Sequence, residues 1–492
     1  KRQAAGPARG ARLMGDTATY TARGPAGTAV DPAAQLAGEA AGPAATGGVG
    51  GADLGWLRRE RSNICAAITM ACDSADERLG PAGWRLADAM LGYVRLWPGD
   101  GDWAKAVRAA ARSAARSGNG RAYAGMLLNA ADAEYREGRT AAERIRAREA
   151  LAVARTAGWR AGEGLALAAL GRSHWSVGSL PLADRYLRRA LAVHRAIDDP
   201  AGEAGALGRL ARSAHDRGDL RSALRDYKRA LGLADAADSR FGRVRLPAHI
   251  ALALADLGRY EQAARWSEPA YRLSREAAFP EGVALALTCR AVVLANTGAL
   301  EAALRTVAEA HAAIGDLADP RAAADCLNRL AGVEAAAGSP GAAERGHGKA
   351  LQLARTTGYR QGAAAAHAGL AAEQVGRGRY EEAAASCRSA LAAAGTELRL
   401  VRARVLLAQA DIALAAGSPS GAVARCREAE ALFRDAGDRL GEVRALLAWG
   451  RVADAVPGHG AALRPWRRGV WVASSVGAGP ERDTLRSLLG VD

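Results

Sequence analysis

Aromatic side chains are in short supply in these 492 residues: they make up 5% of the chain, and only three residues are phenylalanine. Aromatic packing is therefore sparse, and alanine does the packing. No stretch approaches the roughly 18 uninterrupted apolar residues of a membrane span. The N-terminal region also lacks the apolar h-region of a secretory signal. Both absences point to the cytoplasm. Six cysteines, none in Cys-x-x-Cys spacing, make neither a disulfide framework nor a zinc site. Cys387 and Cys426 stand at equivalent places and read as buried thiols serving as small core residues. No His-Glu-x-x-His, Gly-x-Ser-x-Gly or Cys/His constellation occurs. The chain is expected not to be an enzyme, and no catalytic, cofactor-binding or metal-ligating residue is assigned. Lysine is nearly missing too, with only Lys1, Lys105, Lys228 and Lys349 among 67 basic residues. A net charge of +15 invites a nucleic-acid partner. So strong an arginine skew, beside heavy use of Ala and Gly, reads as much like the codon bias of a GC-rich genome. The dense basic stretches, Arg139–Arg155 and Arg464–Arg468, read as solvated helix faces.

What is abundant is periodic. Glycine falls at 138, 178, 218, 258, 298, 338 and 378, each 40 residues after the last, and again at 417. Twelve residues after each stands an alanine: Ala150, Ala190, Ala230, Ala270, Ala310, Ala350, Ala390 and Ala429. Five residues after each, from the second onward, stands another: Ala183, Ala223, Ala263, Ala303, Ala343, Ala383 and Ala422. A sustained period of this length marks a solenoid. In one unit, Glu203–Arg217 reads as a helix closed by Gly218, which can take the left-handed conformation. Asp219 is placed to cap the next helix. That helix carries the apolar stripe Leu220, Ala223, Leu224, Tyr227, Ala230, Leu231 and Leu233. Each unit is thus two antiparallel helices, and the alanines are close-approach points between them.

These spacings resemble the tetratricopeptide (TPR) family, whose repeats place Gly at the inter-helix turn and Ala five and twelve later. Leu170–Gly171 before Gly178 matches its Leu–Gly pair, and Leu210–Ala211, Ile250–Ala251, Leu330–Ala331 and Leu370–Ala371 repeat it with Ala. The period departs from the usual 34. Pro200, Pro280 and Pro320 read as closing the second helix, which puts the extra residues mainly there. Leu91–Gly92 before Pro98–Gly99 and Trp449–Gly450 before Pro457–Gly458 look like degenerate first and last repeats. The expected fold is all-α, a right-handed superhelical α-solenoid of about ten TPR-like helix pairs. It divides into a disordered Gly/Ala/Pro-rich linker (1–52), a leading helix (53–82), the array (83–478) and a capping helix (479–492).

The leading helix carries Trp56-Leu-Arg-Arg-Glu-Arg-Ser-Asn-Ile-Cys-Ala-Ala67. By physics alone, Trp56, Leu57, Ile64 and Ile68 share one face that caps the first repeat. The segment also resembles the Trp-Leu-x-x-Glu-Arg-x-Asn-Leu-x-Ala-Ala stretch that precedes the TPR array in actinobacterial transcriptional regulators of the SARP type (Streptomyces antibiotic regulatory protein), with their NB-ARC signalling-ATPase modules. Trp56, Leu57, Glu60, Arg61, Asn63, Ala66 and Ala67 match, and Ile64 replaces Leu. The resemblance implies a sensor and interaction arm, with NTPase and DNA-binding domains upstream. No Gly-x-x-x-x-Gly-Lys-[Ser/Thr] loop is present here, and the nearest string, Gly346-His-Gly-Lys-Ala350, lies inside a repeat's second helix. The chain starts with Lys, so a fragment is expected, with a free-standing TPR scaffold as the alternative.

TPR arrays bind peptides or partner helices along the face lined by first helices. Six and three residues before Gly178 and Gly218 stand Arg172 with Trp175 and Arg212 with His215. Asp132 and Tyr135 extend the row one repeat earlier, Arg245 and Asp256 one later. Arg172, Trp175, Arg212 and His215 are the candidate cationic, aromatic patch for an acidic protein or peptide ligand. The competing assignment puts Trp175 in the inter-repeat core with the arginines solvated. Self-association is a further expected partner mode; no cofactor is expected.

Overall fold

The computed structural model describes residues 51–76, 78–96, 101–317, 319–455 and 462–491. All regular structure among them is helical. The helices are α1 (Gly51–Asp73), α2 (Leu79–Leu96), α3 (Asp102–Arg116), α4 (Gly120–Arg136), α5 (Thr140–Thr156), α6 (Arg160–Ser176), α7 (Leu180–Arg195) and α8 (Pro200–Arg217). There follow α9 (Leu220–Ala236), α10 (Arg240–Asp256), α11 (Tyr260–Glu276), α12 (Pro280–Asn296), α13 (Leu300–Gly315), α14 (Pro320–Ala336) and α15 (Pro340–Thr356). The last are α16 (Arg360–Gly376), α17 (Tyr380–Ala394), α18 (Arg399–Ala415), α19 (Pro419–Ala436), α20 (Arg439–Asp454), α21 (Leu463–Val476) and α22 (Gly479–Leu489). After α1 they form ten pairs, α2–α3 through α20–α21, the TPR-like α-solenoid that the ladder predicts. The linker expected over 1–52 lies outside the described residues, apart from Gly51 and Ala52, which open α1. The turns expected at Pro98–Gly99 and Pro457–Gly458 lie outside them too.

The glycine ladder does what its spacing requires. At Gly218 φ is +86°, where an L side chain is strained. The Gly218 amide donates to His215 O and the Asp219 amide to Ala214 O, a paired closure that satisfies the last carbonyls of α8. The same pair of bonds recurs at Gly178, Gly258, Gly298, Gly338, Gly378 and Gly417. A second ladder, not foreseen, lies between repeats: Gly158, Asp198, Asp238, Ala278 and Gly358 all have positive φ. Asp tolerates that region better than most residues, whereas Ala278 has no such tolerance.

Three local expectations are corrected. Pro200, Pro280 and Pro320 do not close second helices; each is the first residue of a first helix, where a missing N–H costs nothing. The extra length is accordingly shared, since first helices α10, α12 and α14 and second helices α11 and α15 all span 17 residues. Asp219 occupies the N-cap of α9 but makes no side-chain cap bond. Its carboxylate instead accepts from Arg399 and Arg217.

All fifteen ladder alanines have no exposed surface. Their burial is what close-approach points between paired helices require. All six cysteines are buried and free. Burial pushes the Cys289, Cys326 and Cys426 thiols up to about 12, as befits small core residues. In α1, Ile68 is fully buried and Leu57 and Ile64 pack beside it, but Trp56 is 52% exposed. At about 100° per residue, Leu57, Ile64 and Ile68 fall within a narrow stripe, and Trp56 lies about 100° away from it.

The helices sort into two compact units. Unit 1 runs through Leu170 and adds Arg189–Gly202 and Asp238–Arg240; unit 2 holds Gly171–Arg188, Glu203–Ala237 and Phe241 onward. Unit 1 has a core of large side chains, among them Trp84, Met90, Tyr93, Trp103 and Met126. Unit 2 coils back on itself. A Cβ built at Gly178 would lie 3.1 Å from Arg360, one at Gly218 3.1 Å from Leu400, one at Gly258 3.4 Å from Arg439, and one at Gly298 3.9 Å from Pro480. Each partner stands 181 or 182 residues further on, so one superhelical turn takes about four and a half repeats. Polar bonds bridge the same seam: Arg399 donates to Arg217 O at 3.1 Å, and Gln361 Nε2 donates to Trp175 O at 2.6 Å.

Candidate functional site

Because unit 2 closes so tightly, the inward faces of its first helices come together around the axis of the coil. On a 3.6-residue helix, positions i, i+4, i+7 and i+11 share a face. In α10 those positions hold Arg245, His249, Leu252 and Asp256; in α14, Asp325 and Arg329; in α8, Arg212 and Asp216 occupy the last two. Side chains from helices far apart in sequence pair there. Arg329 binds Asp256 through both nitrogens, each 2.7 Å from a carboxylate oxygen, a bidentate fork. His215 Nε2 lies 2.7 Å from the same carboxylate. Arg212 pairs with Asp325, which also accepts from Tyr359 Oη at 3.0 Å. Trp175 Nε1 donates to Asp216 at 2.6 Å.

Aromatic rings wall this network. The Arg212 guanidinium carbon stands 5.0 Å from the Trp175 ring centroid, and Trp175 lies 5.3 Å from Tyr359. Tyr227 stacks on His249 at 5.5 Å, both deeply buried. The charged members keep some contact with solvent: Arg212, Asp256, Asp325 and Arg329 are between 16% and 29% exposed. They line a channel and are not sealed in a core.

The two central carboxylates differ. Burial alone would raise Asp256, but Arg329 and His215 hold it well below the usual carboxylate range. Burial pushes Asp325 up to about 6 in spite of Arg212, and the Asp216 carboxylate adds to the rise. His249 is driven well below the ordinary histidine value by burial and by Arg245 and Arg212, so it is neutral. Further along, burial and Arg404 lower His347 to about 4; its Nδ1 lies 3.1 Å from Asn328 Oδ1. The His347 ring also fills the place where a Cβ on Gly369 would stand.

Of the residues read from sequence, unit 2 brings Trp175, Arg212, His215 and Asp256 into one network. Trp175 is only 7% exposed and packs with Tyr359 and Ala371, so it walls the patch from within the core. Arg172 is half-buried on α6. Arg245 sits on the inward face of α10 with a long pairing of 3.8 Å to Glu281. Asp132 and Tyr135 belong to unit 1, where Asp132 is buried and takes Arg136 Nε at 3.1 Å. The arginines are matched by carboxylates, of which the sequence reading had named Asp256 but not Asp325 or Asp216. Asp325, Arg329, Asp216 and Tyr359 were missed. The spacing Asp325–Arg329 and Arg212–Asp216, four apart on first helices, was the available signal.

No family profile and no curated protein matches the sequence. Among solved structures, the chain is similar to a Rap protein complexed with competence and sporulation factor, with TM-score 0.56 and 12% identity over 72% of this chain and 98% of that one. The Rap conjugation gene regulator of a plasmid, in complex with the Phr peptide, gives TM-score 0.45 and 13% identity, over 60% of this chain and 77% of that one. The APC/C hetero-tetramer Cut9–Hcn1 gives 0.49 and 12%, over 85% of each chain. The likeness to the first is one of fold, a solenoid of TPR-like helix pairs.

Proposed function

We propose that this chain binds a protein or peptide segment in the channel of unit 2, and that it does so as the sensor arm of a cytoplasmic transcriptional regulator. The observation that carries the binding reading is the lining itself. Ion pairs taken out of water rarely stabilise more than apolar side chains of the same volume. A fold whose other helix contacts are made by alanine and larger apolar side chains has no packing need for Arg212, Asp325, Arg329 and Asp256 on one inward face. A solved chain of the same fold holds a bound factor, which supports the use of such a coil for a partner. The regulator context rests on the resemblance at Trp56–Ala67, with NTPase and DNA-binding domains as intramolecular partners and self-association as a second mode.

Peptides selected by display on the whole chain test this reading. A selected segment should lose at least tenfold in affinity for the Arg172→Ala, Arg212→Ala double variant, provided its melting shows it folded. Unchanged affinity contradicts the patch. The net charge favours a second reading, a free-standing scaffold with non-specific nucleic-acid affinity. Salt separates the two, since phosphate-backbone binding falls steeply with it and channel binding only modestly. The size of the native gene product, by immunoblot and intact mass, tests the regulator context: a product far heavier than 50.7 kDa agrees with upstream domains.

A further inference from the structure

Among the described residues, the carboxylates that face Arg404 are already engaged. Asp325 is held by Arg212 and Tyr359, Asp256 by Arg329 and His215, and Asp216 by Trp175. Further along, Glu481 takes Arg444 at 3.0 Å, and Asp438 accepts the Gly441 amide at 2.8 Å as the cap of α20. Arg404 has no such partner: among the described residues no carboxylate forms an ion pair with it within 4.0 Å.

Its position is nevertheless interior. Arg404 stands 13 residues before Gly417, as Arg245 and Asp325 stand 13 before Gly258 and Gly338, so α18 presents it on the same inward face. The side chain is exposed, yet its electrostatic neighbours come from several other elements: Asp256 of α10, Arg329 of α14, His347 of α15, and Asp438 and Arg444 at α20. An outer surface does not gather charges from so many helices; the solvent that Arg404 meets is that of the channel. Desolvation by the protein crowded around it holds it below the ordinary guanidinium value, with Arg329 and Arg444 adding to this against Asp438 and Asp256. A cation confined without a paired acceptor is unfavourable, and a ligand oxygen that supplies one relieves it through a charge-assisted hydrogen bond.

We infer that Arg404 is the point at which the channel takes a carboxylate of its ligand, and that the segment bound there is acidic at that contact. The inference rests on the channel being the ligand groove. Asp256, Asp438 and Glu481 are committed to Arg329, the α20 cap and Arg444, so an incoming carboxylate does not have to displace them.

Fluorescein-labelled hexaglutamate, followed by anisotropy with the full chain at 150 mM salt, is the probe, with hexalysine as its control. The expected result is binding of hexaglutamate that weakens at least tenfold in Arg404→Gln, recovers in Arg404→Lys and is unaffected by Arg388→Gln on the outer face of α17. Competition by citrate would show that a free carboxylate suffices; indifference to citrate would tie the site to a peptide. Either pattern supports the carboxylate site. Equal binding by Arg404→Gln and wild type overturns it, as does an absence of binding to wild type. A display-selected peptide that depends on Arg212 but not on Arg404 would sink the Arg404 site and leave the groove standing. If no peptide depends on either, both fall.

Discussion

In unit 1, Trp84, Met90, Tyr93 and Trp103 fill the spaces between helices. In unit 2, alanines pack between the helices beside leucines and valines, and on the inward face charged and aromatic side chains are hydrogen-bonded to one another. Both units use paired helices on the same plan. The contrast teaches that the alanine ladder sets how closely helices pair, while the residues left over on the first-helix face decide what the coil encloses. In unit 2 those residues meet across a superhelical turn and form a polar channel.

Four sets of variants break or sharpen this contrast. The largest effect is expected in unit 1, where Trp103→Ala removes a 4% exposed side chain from the core. A loss of about 3–5 kcal/mol follows, read as an early unfolding step in urea that does not respond to salt. In unit 2, Arg329→Ala strips Asp256 of its fork and should cost about 3 kcal/mol. The Arg329→Ala, Asp256→Ala double variant should cost less than the sum, a coupling that a double-mutant cycle measures.

The pH dependence sets His347 and Asp325 against each other. His347 is neutral in the fold with a value near 4, so its contribution is full above about 6.5 and is lost as pH falls toward 4, to a limit of about 3 kcal/mol. Asp325 is raised to about 6, so its contribution is full below about 3.8 and is lost as pH rises through 6, again by about 3 kcal/mol. The two slopes offset in wild type. Relative to it, His347→Gln should lose stability as pH rises from 4 to 6.5, and Asp325→Asn should gain it; urea midpoints at intervals across that window show both. The smallest effect separates two turn glycines. Gly218→Ala meets Leu400 at 3.1 Å and a φ of +86°, whereas Gly338→Ala meets only its φ of +76°. Losses of about 2 and about 1 kcal/mol are expected.

The helix pairs were legible because glycine and alanine recur at fixed offsets, and the left-handed turns follow from that glycine directly. The prolines were read at the wrong end of their junction, because a proline after one helix is also a proline before the next. Trp56 was placed on a stripe from which one residue's rotation removes it. Trp175, Arg212, His215 and Asp256 were legible as stacked rows of neighbouring repeats. Asp325 and Tyr359 were not, since their meeting with Arg212 depends on the pitch of the coil. That pitch appears in contacts about 180 residues apart, such as Gly218 with Leu400, which no 40-residue periodicity announces.

The central claim is that unit 2 closes on itself within one superhelical turn. Arg399 against Asp219, 180 residues apart, is the contact that reports it. With the native thiols buried, an Asp219→Cys, Arg399→Cys variant can be treated with a short bis-methanethiosulfonate reagent and read by mass spectrometry of its peptides. A crosslink within one chain, absent from an Asp219→Cys, Glu301→Cys control, is the predicted result. Singly modified cysteines with no intramolecular link would contradict the closed coil, and with it the channel.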